Sequence, residues 1–153
     1  MVPLISITQE PRGDDYIAVI NFAAGIRSLF SLVWRDQFDF DDGAYEIYQR
    51  LQGDLVVETS TDNWPGTRLI GHKAKVGLYK MSESDIEVLK QTDGLYRWRM
   101  PRFPEDLAFY LAADRPWLGS IAHEEDSFIY SDIVDVGTLT KAVPRLRLEH
   151  TCS

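Results

Sequence analysis

At 153 residues, 44% hydrophobic and 12% aromatic, with one cysteine (Cys152) next to the last residue, the chain can fill one ordinary core without disulfides or metal. Its net charge of −8 falls almost wholly on residues 1–63, which hold 11 acids against 4 Lys/Arg, and this argues against nucleic acid or an anionic membrane as partner for that half. The lone terminal Cys fits a reducing compartment, and no apolar run approaches the roughly 20 residues that cross a bilayer. The expectation is a cytoplasmic chain forming a single domain over 1–153, with a flexible tail at 145–153.

In chain order, "DYIAVINF" (15–22) has the β-branched and aromatic content of a strand, and "SLFSLVWR" (28–35) reads as a second. The overlapping stretch 22–34 also fits a buried helix, because periodicity does not separate the two over so short an apolar run. "DDGAYEIYQRLQG" (41–53) predicts a helix capped by Asp41 or Asp42, with Tyr45, Tyr48 and Leu51 on one face and Gly53 ending it. "DLVVETS" follows as a strand. Residues 61–72 read as a loop broken by Asn63, Pro65 and Gly66, with Trp64 either exposed or folded back as a lid on the core.

"KAKVGLYKM" (73–81) alternates Ala74, Val76 and Leu78, as a strand with one wet face does. Ser82 with Asp85 has capping-box spacing and predicts a helix that stops at Gly94. Strands at 106–111 and 117–122, joined by a loop of about five residues, predict an antiparallel hairpin, and a last helix falls at 137–143. Together these predict an α+β fold: a small single domain with an antiparallel sheet packed by two or three helices.

Two stretches draw attention as candidate sites. In "WRDQFDFDDGAYE" (34–46), Asp36, Asp39, Asp41 and Asp42 surround Trp34, Phe38 and Phe40, which fits a docking surface for a basic protein with aromatic anchors or a solvated turn before a helix. No EF-hand register is present there. The second stretch is "HEED", where His123 and Glu124 follow a strand and join Trp64 as a loop site.

"HEEDS" is not the HExxH of a zinc enzyme, and three histidines with one terminal Cys offer no tetrahedral ligand set. A triad of Ser120 or Ser127 with His123 and Asp126 lacks the G-x-S-x-G elbow, and the glycines have neither dinucleotide nor Walker spacing. The residues therefore assign no catalytic group, no metal and no cofactor.

"PEDLAFYLAADRPWLGSIAHEEDSFIY" (104–130), with "VGLYKMSESDIEVLK" before it, resembles a loose group of small uncharacterised bacterial proteins, some of them similar to immunity proteins encoded beside contact-dependent or secreted toxins. The quoted motif is a "PEDL" strand at Pro104–Leu107, a Trp-containing strand at Trp117–Ile121 and the pair His123 and Glu124. The resemblance implies an inhibitory protein that neutralises a basic toxin, with oligomeric state open. Two alternatives stand beside it: a small hydrolase using His123 with Glu124 or Asp126, and a structural or regulatory domain without catalysis.

Overall fold

The structure, a computed structural model, describes residues 3–35 and 40–150. The chain runs β1 (Leu4–Ile7), α1 (Asp14–Gly25), β2 (Leu29–Trp34), α2 (Asp42–Leu51), β3 (Leu55–Thr61), β4 (Asn63–Trp64) and β5 (Thr67–Arg68). It continues β6 (Ala74–Lys80), α3 (Glu83–Leu89), β7 (Glu105–Ala112), β8 (Arg115–Ile121), β9 (Asp126–Tyr130), α4 (Val136–Ala142) and β10 (Leu148–His150). Among the described residues, eight strands make one antiparallel sheet in the order β10-β1-β9-β8-β7-β2-β6-β3, and β4 and β5 form a separate small hairpin. This is the expected α+β class: one small domain whose sheet is packed by helices.

The segment 15–22 is a helix, not the strand its composition predicts. Tyr16, Val19, Ile20 and Ala23 recur at helical spacing and are all buried, so one stripe of α1 meets the sheet. Asp14 and Asp15 sit in the first turn, where the helix dipole favours carboxylates. Burial of that stripe overrides the weak preference of Val and Ile for strands. The ambiguity over 22–34 resolves into both structures: the helix ends at Gly25, Arg27 at φ 56 turns the chain, and β2 begins at Leu29.

Helix α2 has the expected cap, since the Asp41 carboxylate accepts from the Ala44 N–H at 3.2 Å. Its buried face is Ala44, Ile47 and Leu51, spaced three and four, whereas Tyr45 is 55% exposed. The Tyr45, Tyr48, Leu51 series steps by three each time and drifts off the stripe. In α3, Ser82 Oγ accepts from the Asp85 N–H at 3.2 Å, as a capping box requires. Asp85 does not complete the box.

The β7–β8 hairpin forms with a tighter connection than expected, only Ala113 and Asp114 lying between the strands. Pro116 fits inside β8 because the pairing is bulged on either side of Tyr110, so a ladder donor is not missed there. Within the stretch read as a tail, Leu148–His150 form β10 and pair with β1. The helix-side face carries Phe30, Leu32, Trp34, Tyr79, Leu107, Phe109 and Trp117, all buried in the main core. Burying a side chain such as Phe109 contributes about 2–3 kcal/mol relative to leaving it in water.

Candidate functional site

β7 begins with two consecutive acids, Glu105 and Asp106, both buried. Asp106 adopts φ 55, which Asp tolerates better than most residues, and the pairing of β2 with β7 shifts register beside it. The extra residue lets both carboxylates be used at the same end of the strand. Asp106 Oδ2 accepts from Trp64 Nε1 at 2.9 Å, and Oδ1 accepts from the Ala122 N–H at 3.0 Å. Burial pushes the Asp106 carboxyl above its usual range, while these two donors pull it back.

Glu105 is 0% exposed, and its Oε1 lies 2.8 Å from His123 Nε2, with Arg35 Nη1 3.9 Å from Oε2. The two acids thus tie together the β4–β5 hairpin, the turn after β8 and the end of β2. Trp64 is folded back, as one of its two expected placements has it, and packs with Val33 and Ala74 in a small second core on the sheet face opposite the main one. At the hairpin turn, Gly66 has φ 86, and a Cβ there would stand 2.8 Å from Phe128 Cζ. Only glycine lets the hairpin lie this close to the sheet.

Beside the hairpin the same sheet face opens into a groove of about 460 Å³. Its floor is Ser31, Val76, Leu78 and Tyr110, one wall is Val57, Thr59 and Thr61 of β3, and Trp64, Pro65, Pro116 and Tyr130 close the other sides. Ser31 Oγ and Tyr110 Oη hydrogen-bond each other at 2.9 Å, so the floor is polar only where it is already satisfied. Asp114 is the one charged residue lining it among the described residues. Such a lining is suited to apolar and hydroxyl-bearing groups, with the carboxylate at its edge favouring positive charge.

A second acidic pair lies where β3 begins. Asp85 is 1% exposed and stands against Asp54, which also accepts from Ser82 Oγ at 2.7 Å. Burial and the neighbouring Asp54 push Asp85 up to about 7.

Of the residues expected at the acidic surface, Asp36, Phe38 and Asp39 lie outside the described residues. Trp34 is 5% exposed, donates to Tyr79 Oη at 3.1 Å and packs against Phe40 and Tyr48. It is a core residue and not an exposed anchor, because β2 alternation turns it toward the helices. Phe40 is half-buried on the same core, whereas Asp41 and Asp42 are exposed at the start of α2. His123 and Glu124 sit in the short turn after β8, and the carboxylate bonded to His123 is Glu105, neither Glu124 nor Asp126. Ser120 Oγ donates to the Leu107 carbonyl and Ser127 Oγ bonds Tyr96 Oη, both buried, so both hydroxyls are engaged away from His123.

Glu105 and Asp106 are the residues that sequence reasoning missed. Their signal was two acids set between Pro104 and the unbroken apolar run "LAFYL". No family model, curated protein or solved structure matches the chain. Among the described residues, no helix is long and apolar enough to cross a membrane.

Proposed function

We propose that the chain is a binding protein for a basic protein partner, in the manner of an immunity protein that neutralises a basic toxin. The groove carries this reading: it joins an apolar and hydroxyl lining to a single carboxylate, Asp114, on a chain of net charge −8. Buried contact in the groove supplies the affinity, and the exposed Asp41 and Asp42 at the start of α2 speed encounter with positive charge. The engagement of Ser120 and Ser127 with Leu107 and Tyr96, away from His123, favours binding over the hydrolase alternative.

The test is binding of a basic toxin encoded beside the gene for this chain, measured for the unmodified protein, for Thr59→Arg in the groove wall and for Asp41→Asn with Asp42→Asn. Thr59→Arg should weaken affinity at least tenfold through a faster dissociation rate. The double Asn variant should slow association and flatten its salt dependence, with dissociation unchanged. Unchanged affinity in folded Thr59→Arg would remove the groove from the interface.

A further inference from the structure

We infer that the partner enters as an extended strand added to the outer edge of β3, with its alternate side chains continuing the groove face beyond Val57, Thr59 and Thr61; this rests on the binding reading above. β3 is the end strand of the sheet, and among the described residues only β6 pairs with it. An edge of this length is usually blunted by Lys, Pro, a bulge or a covering element; β3 has a bulge between Leu55 and Val57, which leaves 57–61 as its regular edge. Here the strand reads "LVVETST", with neither Lys nor Pro, and Val56 and Val57 are 47% and 45% exposed. Its one charge, Glu58, is occupied by Tyr48 Oη, which donates to the carboxylate at 3.0 Å.

The parity of β3 says what such a strand would carry. Val57, Thr59 and Thr61 face the groove, so residues of an added strand on that face would extend this wall and should be apolar or hydroxyl-bearing. Glu58 lies on the other face, and a residue opposite it in the added strand would sit about 5 Å away. The cation on that face in the present sheet, Lys75, pairs with Ser60 across β6, one full strand further from the newcomer. Asp54 and Asp62 flank the strand at its two ends. The segment that fits alternates basic residues with apolar ones, and its main chain supplies the hydrogen bonds.

The experiment uses the full chain and an eight-residue peptide alternating lysine and valine, blocked at both ends, with a glutamate-valine peptide as control. Two further lysine-valine peptides are N-methylated at every second residue, one for each parity. The lysine-valine peptide should bind, slow amide exchange in residues 55–61, and lose about tenfold in affinity on methylation of one parity only, the parity whose N–H groups face β3. The glutamate peptide should not bind. Equal binding by both methylated peptides overturns strand addition while leaving the groove as a site. Failure of the lysine peptide, where the neighbouring toxin still binds through Thr59, overturns it in the same way; failure of both removes the reading beneath it. Concentration-dependent dimers that protect β3 without peptide also overturn it, because the occupant is then a second copy of the chain.

Discussion

His123 Nε2 stands 2.8 Å from Oε1 of Glu105, so an exposed turn is held by a carboxylate that has no exposure of its own. The imidazole N–H donates, the carboxylate accepts, and the chain leaving β8 is fixed at the point where it turns into β9.

Removing that donor should therefore cost stability in proportion to what replaces it. His123→Ala leaves a buried carboxylate oxygen without its donor, for an expected loss of about 2–3 kcal/mol in urea unfolding. His123→Gln keeps an N–H within reach and should lose less than about 1 kcal/mol. Equal losses would show that the ring's packing, not its hydrogen bond, holds the turn.

Asp106 allows backbone and hydrogen-bond effects to be separated. Asp106→Ala removes the acceptor for Trp64 Nε1 and the Ala122 N–H and places a Cβ with no compensating bond at φ 55; it should cost about 3 kcal/mol or more. Asp106→Gly removes the same acceptor but relieves the backbone and should be about 1 kcal/mol less damaging. In both, Trp64 should shift its fluorescence to the red as the hairpin loosens. An unshifted spectrum would mean that the small core of Val33 and Ala74 holds the indole by itself.

The Asp54–Asp85 pair sets a pH dependence whose sign is opposite to that of an ion-paired carboxylate. Asp85 rises to about 7 in the folded chain from an ordinary value of 3.8, so the folded state keeps a proton that the unfolded state has lost. Stability then falls as pH rises from about 4 to about 7 and levels off above. Asp54, held low by Asp85 and Ser82, contributes in the other direction only below the ordinary carboxylate range. Urea midpoints should be higher at pH 5 than at pH 8, and Asp85→Asn should raise the pH 8 midpoint and reduce the difference. An unaltered difference in Asp85→Asn would place its origin elsewhere.

Much of the framework was legible from the sequence. Caps at Asp41 and Ser82 and the apolar runs of β7 and β8 are local signals that the structure keeps; β6 is a strand as expected, but the face opposite Ala74, Val76 and Leu78 is not wet, because it turns Tyr79 into the main core. In α1 the β-branched Ile17, Val19 and Ile20 give the segment a strand's composition, while its buried positions Tyr16, Val19, Ile20 and Ala23 have helical spacing. β1 and β10 are short and take their order from partners far along the chain, which no local window contains. The groove was out of reach for the same reason: Ser31, Thr59, Val76, Tyr110 and Tyr130 meet only after six strands, β9 to β3, are in register. Glu105 and Asp106 were passed over because charges default to the surface.

β1 lies between β9 and β10, so the strand of this sheet that is synthesised first is sandwiched by two that are synthesised last. Vectorial synthesis thus holds "LISI" idle while the middle of the sheet can already assemble, and closing that long loop carries an entropic cost that nearby contacts do not share. In pulse-labelled refolding the amides of β1 and β10 should be the last of the sheet to gain protection, after β2, β6 and β7. Folding of this sheet then ends at the edge furthest from β3, and the groove face takes shape before β1 and β10 have met.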